Sequence, residues 1–162
     1  MPMMSLSDST FKELRDHIYD KSGIHISDSK KYLIENRLTK ILEENKLESF
    51  DDYLRLIKIS SNGNQLTRLF DAITTNETYF FREPHQLNTF TNELFPKMLK
   101  EKNGSKPLRI WSAACSSGEE PYTISMMLME NRMGPSHYEI HASDLSKGVL
   151  GSAKKRYSIH TL

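Results

Sequence analysis

The chain has 162 residues, of which 37% are hydrophobic and 27% charged, a composition typical of a globular protein of one or two small domains. The formal net charge of +1 gives no global field for nucleic acid or a membrane surface, and no apolar run approaches the roughly 20 residues of a membrane span. Residues 1–9 lack the apolar core of a secretory signal, and the single Cys115 excludes an internal disulfide, so we expect a cytoplasmic protein.

The first half of the chain predicts a small helical bundle, because apolar residues recur at helical spacing in four segments joined by short loops. The first helix spans about residues 10–22, with Thr10 and Glu13 as a capping box and Gly23 as its end. The other three helices begin near residue 29, near Ser49 and after the turn at residues 60–64. The predicted apolar faces contain Phe11, Leu14, Ile18, Ile34, Leu38, Ile41, Leu42, Tyr53, Leu54, Ile57, Leu66, Leu69, Phe70 and Ile73.

Residues 75–83, TNETYFFRE, interrupt the helical periodicity with polar residues, three aromatics and an arginine. This pattern indicates an ordered connector, and Pro84 then favours the start of a long helix. The apolar face of that helix is predicted to contain Leu87, Phe90, Leu94 and Met98. We therefore divide the chain into a helical domain at residues 1–74, a connector at 75–90 and an α/β part at 91–162.

The second half alternates helices with two short apolar strands, at residues 108–114 and 138–143. Such alternation predicts a parallel sheet, and thus a fold of the α + α/β type with a partial Rossmann-like domain. Open sheets usually have four strands or more, so two strands predict that the α/β part is incomplete.

A turn of small residues follows the first strand, and Glu119 and Glu120 then begin a helix. The small Ala114 and Gly118 allow a ligand to approach the backbone closely. Two carboxylates would repel a phosphate, so this loop favours a nucleoside that carries positive charge, as S-adenosylmethionine does. The alternative is an ordinary turn whose glutamates only favour the helix dipole.

Asp144 ends the second strand, where an acid in nucleotide-binding folds accepts hydrogen bonds from ribose hydroxyls. Taken alone, Asp144 is better explained as a helix cap, but together with the loop of small residues its position favours binding to a ribose. In the connector, Asn76 and Thr78 can face one side, and Arg82 could bind a carboxylate such as the methionine end of the cofactor. Arg82 could equally pair with Glu77 or Glu83, and Asn76 and Thr78 could cap a helix.

Lys30, Arg37 and Lys40 lie beside the apolar stripe of the second helix and could dock an acidic partner, although a solvated face is the simpler interpretation. The six histidines show no spacing typical of metal ligands. Cys115 has no base near it in sequence, which favours a buried small residue over a nucleophile.

Two segments together resemble the CheR-type chemotaxis receptor methyltransferases: residues 75–83 and residues 109–122, RIWSAACSSGEEPY. Residues 142–146, ASDLS, continue the resemblance, and the N-terminal helices are similar to the helical domain of that family. The resemblance implies transfer of a methyl group from S-adenosylmethionine to glutamate side chains of bacterial chemoreceptors, giving methyl esters. It also implies that the family's proteins extend further, so that this chain is C-terminally short.

The resemblance implies that Asn76, Thr78, Arg82, Glu120 and Asp144 surround the cofactor. It also implies that the basic second helix meets acidic receptor helices, which favours the docking role of the basic residues. A glutamate carboxylate is already a nucleophile at neutral pH, so we assign no general base and no catalytic residue. The alternative function is a non-catalytic module that binds a partner or senses the cofactor in a chemotaxis-like system.

Overall fold

The computed structural model describes residues 4–60, 63–102 and 106–156, and its contacts divide the chain into two units, Met1–Thr74 and Thr75–Leu162. The fold is α + α/β: helices form the first unit, and helices with a parallel sheet form the second. The first unit contains α1 (Asp8–Ser22), a 3-10 turn (Asp28–Lys30), α2 (Lys31–Glu44), α3 (Phe50–Ile59) and α4 (Asn64–Ile73). Among the described residues, no helix combines the length and the apolarity needed to cross a membrane.

The second unit begins with residues 75–83, which belong to no helix or strand. Its elements are α5 (Pro84–Thr89), a π-helical segment (Phe90–Leu94), α6 (Phe95–Glu101), β1 (Leu108–Ala113), α7 (Glu119–Glu130), β2 (Tyr138–Ser143) and α8 (Lys147–Arg156).

Helix α1 begins earlier than the sequence predicts because Ser7, not Thr10, is its N-cap. The extended Ser7 accepts a hydrogen bond from the Thr10 amide at 3.1 Å, so the predicted capping box of Thr10 and Glu13 is wrong. The Thr10 hydroxyl instead donates to Asp51 at 2.9 Å. The predicted end of the helix is confirmed, since Gly23 adopts the left-handed conformation with φ 72°.

The predicted apolar stripes form the core of the first unit, although Leu66 and Phe70 are only partly buried. The turn predicted at residues 60–64 falls where α3 ends and α4 begins, and its residues 61 and 62 lie outside the described part of the chain. The buried core contains Leu6, Phe11, Leu14, Ile18, Ile26, Ile34, Leu38, Ile41, Leu42, Phe50, Tyr53, Leu54, Ile57, Leu69 and Ile73.

Tyr53 is 0% exposed, and its hydroxyl has no hydrogen-bond partner among the described residues. Burial raises the pKa of Tyr53, so this hydroxyl remains protonated and uncompensated. Because a buried unsatisfied group destabilises a fold, we expect Tyr53→Phe to change the free energy of unfolding by between zero and about +1 kcal/mol. Urea denaturation of the purified chain measures this change.

Tyr138→Phe is the matched control, because the Tyr138 hydroxyl lies 3.0 Å from the Ser125 hydroxyl. Loss of that hydrogen bond should lower the free energy of unfolding by about 1 kcal/mol. A comparable loss in Tyr53→Phe would mean that the Tyr53 hydroxyl does have a stabilising partner.

The long helix predicted to begin at Pro84 is interrupted by the π-helical segment Phe90–Leu94. A π turn contains an extra residue, which rotates the side chains of the following helix about its axis. Pro96, in the first turn of α6, has no amide hydrogen to donate to the preceding turn. The predicted apolar face is therefore wrong beyond this point: Phe95 is buried, whereas Leu94 and Met98 are each 49% exposed.

The sheet consists of β1 and β2 in parallel, with Leu108 opposite Tyr138 and Ala113 opposite Ser143. One apolar cluster joins this sheet to the helices, and it includes Phe95 and Leu128. Because the strands are parallel and in register, their carboxyl ends lie side by side. The chain segments that follow both strands are therefore brought together at one edge.

Candidate functional site

The loop between β1 and α7 turns sharply through alternate left-handed residues. Ala114 has φ 61°, Ser116 has φ 49° and Gly118, the N-cap of α7, has φ 98°. Residues other than glycine rarely adopt this backbone conformation, so the surrounding contacts must hold Ala114 and Ser116 in it. The loop places Ala114 on the surface, where its small side chain leaves the backbone accessible.

The same loop is fixed to the end of β2 by hydrogen bonds. The Cys115 amide donates to the Ser143 carbonyl at 3.0 Å, and the Ser116 amide donates to Oδ2 of Asp144 at 2.8 Å. The other carboxylate oxygen of Asp144 accepts from the Ser146 amide at 2.8 Å, just before α8. Asp144 thus supports the start of a helix and the loop together, and each oxygen keeps a lone pair that a ribose hydroxyl could use.

The two glutamates that begin α7 have different environments. Glu119 is 6% exposed, and its carboxylate accepts hydrogen bonds from the Ser117 hydroxyl at 2.8 and 3.0 Å. Glu120 is exposed, and its Oε1 accepts from the hydroxyl of the buried Ser112 at 2.6 Å. Ser112 is the penultimate residue of β1, so it holds the Glu120 carboxylate at the carboxyl end of the sheet.

The connector contacts the loop and α7 at two points. The Ser116 hydroxyl donates to the Asn76 carbonyl at 2.9 Å, and the Phe81 amide donates to the Thr123 hydroxyl at 3.2 Å. Thr78 is half-buried between these two points. The structure therefore brings the connector, the loop and Asp144 into one hydrogen-bonded arrangement.

Arg82 is exposed and remains close to its own segment. Its Nη1 donates to the Glu77 carbonyl oxygen at 3.2 Å, and its guanidinium carbon lies 5.8 Å from the centre of the Tyr79 ring. Only one of the five donors of a guanidinium is needed for that hydrogen bond, so the group retains donors for a carboxylate.

Cys115 is buried, as the sequence predicts, and it lines a cavity of about 230 Å³ with Gly118, Pro121, Ala142, Leu150, Ala153 and Lys154. Burial raises the pKa of the Cys115 thiol, and the negative charges of Asp144, Glu120 and Glu119 raise it further. A protonated, buried thiol is a poor nucleophile, which supports a packing role.

The arrangement suits S-adenosylmethionine in the chemistry of its groups. The carboxylates of Glu120 and Asp144 accept hydrogen bonds and attract positive charge, as a sulfonium, an ammonium and ribose hydroxyls require. Arg82 offers the opposite charge for the cofactor carboxylate. Within the described residues, no group of three or more His, Cys, Asp and Glu side chains could hold a metal ion.

The three basic residues predicted to bind a partner lie in the first unit, in two different environments. Lys30 and Lys40 are exposed. Arg37 is half-buried, and its Nη1 donates to the carbonyl oxygens of Ile73 and Thr74 at the end of α4. Arg37 therefore stabilises a helix terminus, a role that the sequence pattern does not indicate.

Sequence reasoning missed Ser112, Ser117 and Thr123, whose hydroxyls hold the glutamates and the connector. Ser112 carried a signal, because a polar residue at an inward position of an apolar strand requires a partner. Thr123 lies on the buried side of α7 beside Tyr122 and Ile124, which is a similar signal.

Two family descriptions match the chain. Residues 76–161 match "CheR methyltransferase, SAM binding domain", and residues 9–74 match "CheR methyltransferase, all-alpha domain". The first match alone covers more than half of the chain. It identifies S-adenosylmethionine as the cofactor of this type of domain.

Curated relatives are named as chemotaxis protein methyltransferases. The chain is 37% identical over 150 residues to "Chemotaxis protein methyltransferase 2" of Vibrio cholerae, covering 91% of the chain and 52% of the relative. It is 41% identical over 143 residues to "Chemotaxis protein methyltransferase" of Borreliella burgdorferi, covering 85% and 50%. The protein of the same description from Salmonella typhimurium is 34% identical over 152 residues, covering 93% and 50%. The chain thus spans about half the length of the curated relatives it matches.

Proposed function

Because this chain belongs to the CheR methyltransferase family, we propose that its protein transfers a methyl group from S-adenosylmethionine to glutamate side chains of bacterial chemoreceptors. The observation that carries the proposal is the pinned loop at the carboxyl ends of β1 and β2, with Asp144 bound to its backbone and Glu120 exposed beside it. A crevice at this end of a parallel sheet is where nucleosides bind in related architectures. The relatives named as chemotaxis methyltransferases support the same activity.

Each residue of the site has a proposed role toward the cofactor. Asp144 accepts hydrogen bonds from the ribose, and Glu120 attracts the positively charged end. Arg82 binds the carboxylate. The exposed Ala114 keeps the loop backbone accessible, and Gly118 permits the left-handed turn that begins α7. Asn76 and Thr78 contact the cofactor from the connector.

When bound, S-adenosylmethionine supplies an electrophilic methyl carbon on a sulfonium, so a carboxylate nucleophile needs no general base. The residues of this chain act by orientation and by exclusion of water, which together account for a large part of such rate enhancements. Cys115 and Glu119 are buried and take no part in the transfer.

The domain roles follow the proposed activity. Residues 1–74 form a receptor-facing helical domain, residues 75–90 carry cofactor contacts, and residues 91–162 form the first part of the methyltransferase domain. The exposed Lys30 and Lys40 attract acidic receptor helices in the cytoplasm. Arg37 supports this surface indirectly, because it holds the end of α4.

Methyl transfer from labelled S-adenosylmethionine to receptor-containing membranes tests the proposal. We expect label in the receptor that mild alkali releases as methanol, because glutamate methyl esters hydrolyse while N-methyl groups do not. A receptor whose accepting glutamates are replaced by glutamine should take up no label. Receptor binding without any methyl transfer would favour the non-catalytic partner-binding or cofactor-sensing role instead.

A further inference from the structure

Thr123 joins α7 to the connector turn that contains Arg82. Its side chain is 1% exposed, and its hydroxyl makes two hydrogen bonds. The hydroxyl donates to the Glu119 carbonyl at 2.6 Å and accepts from the Phe81 amide at 3.2 Å. One buried side chain thus connects a helix to a segment 42 residues away.

The first hydrogen bond determines the direction of the second. A threonine hydroxyl has one proton, and in Thr123 that proton is directed to the carbonyl of Glu119 in the preceding turn. A lone pair of the same oxygen remains for the Phe81 amide. Thr123 is therefore a fixed acceptor that specifies where the Phe81 amide lies.

The turn that donates this hydrogen bond is strained on both sides of Arg82. Phe81 has φ 59° and Glu83 has φ 57°, conformations that side chains with a Cβ rarely adopt. Such residues keep these angles only when their surroundings impose them. Phe81 is 48% exposed, so its ring is only about half buried, whereas the hydrogen bond to Thr123 restrains the main chain of the turn directly.

We propose that Thr123 is a positioning residue that orients Arg82 toward the carboxylate of S-adenosylmethionine. The inference rests on the proposed function, because it assumes that Arg82 binds this group. Valine has the branched shape of threonine without the hydroxyl, so Thr123→Val removes the acceptor and leaves the Phe81 amide without this partner. Serine retains the hydroxyl, so Thr123→Ser should restore the turn.

Calorimetry with two ligands separates positioning from a general structural role. The ligands are S-adenosylmethionine and its decarboxylated analogue, which lacks the group that Arg82 would bind. For Thr123→Val we expect the dissociation constant for S-adenosylmethionine to rise by about fivefold to tenfold, the effect of one misplaced hydrogen-bonding partner. The constant for the analogue should stay within about twofold of the wild-type value, and Thr123→Ser should bind both ligands as the wild type does.

Thr91→Val is the matched control, since Thr91 is also 1% exposed and its hydroxyl donates to the Leu87 carbonyl of the preceding helix α5 at 3.0 Å. This variant loses the same kind of helix hydrogen bond, but its partner is Leu87 and not the turn that contains Arg82, so both ligands should bind normally. In addition, Arg82→Ala and Thr123→Val should be non-additive toward S-adenosylmethionine, because both act on one contact.

If Thr123→Val raised the dissociation constants of both ligands equally, the inference would be overturned and Thr123 would have only a structural role. A wild-type protein that binds neither ligand would instead reject the proposed function. Amide hydrogen exchange provides a measurement that does not depend on the folding of any variant. The Phe81 amide of the wild type should exchange slowly despite its exposed side chain, and exchange at the rate of an unprotected amide would also overturn the inference.

Discussion

Replacing Asp144 with alanine should weaken S-adenosylmethionine binding by about 100-fold and lower the free energy of unfolding by about 2–4 kcal/mol. Both carboxylate oxygens accept backbone amides at 2.8 Å, from Ser116 and Ser146. The variant would release the loop that follows β1 and lose the proposed ribose contact. Calorimetry measures the first effect, and urea denaturation without ligand measures the second.

Asp28→Ala is the control for the loss of a carboxylate, because Asp28 forms an exposed ion pair with Arg15 at 2.6 Å. Such surface pairs contribute at most about 1 kcal/mol, so stability and cofactor binding should barely change. Asp144→Asn separates charge from shape, since an amide accepts at only one of its two ends. If Asp144→Ala destabilised the fold but bound the cofactor normally, Asp144 would support only the loop and the start of α8.

Replacing Gly118 with alanine should lower the free energy of unfolding by about 2–4 kcal/mol and weaken cofactor binding by more than about tenfold. Gly118 has φ 98°, where a side chain is strained in any surroundings. A Cβ at this position would also lie 2.9 Å from the ring of Tyr122 and 3.1 Å from the Cβ of Ala153. Both neighbours are buried, so the loop itself must move, and denaturation together with calorimetry measures the result.

Gly151→Ala is the control in the same unit, and we expect it to raise the free energy of unfolding instead of lowering it. Gly151 lies in α8, and a Cβ there would meet nothing within 4 Å. Alanine should therefore stabilise the helix by about 0.5–1 kcal/mol. If Gly118→Ala behaved like Gly151→Ala, the loop could accommodate a side chain, and the requirement for glycine at the start of α7 would be wrong.

Periodicity predicts most of the helices because each amphipathic helix repeats one local rule along its length. It locates the buried faces of α2 and α3, including Leu38 and Tyr53. It fails in the helix that begins at Pro84, where a single extra residue in the π-helical segment exchanges Leu94 for Phe95 in the core. A rule with one fixed angle per residue cannot detect such a shift.

In the candidate site too, features set by neighbouring residues could be predicted, whereas features set by tertiary contacts could not. Small residues, two glutamates and an acid after the next strand indicate a nucleoside crevice from local pattern and strand order alone. Ala114 and Ser116 in the left-handed conformation could not be predicted, because tertiary contacts impose those angles. The local pattern alone does not distinguish Glu119 from Glu120, and only the family resemblance singles out Glu120. Their different environments depend on the hydroxyls of Ser117 and Ser112.

The loop after β1 has already used several of its amides within the chain. Cys115 donates to Ser143, Ser116 to Asp144, and Gly118 to the carbonyl of Cys115 at 3.0 Å. Dinucleotide sites rely on free amides at this position to coordinate a pyrophosphate. We therefore expect that neutralising both glutamates would remove the repulsion without creating a pyrophosphate cradle, because the main chain of this loop disfavours a pyrophosphate independently of its charge.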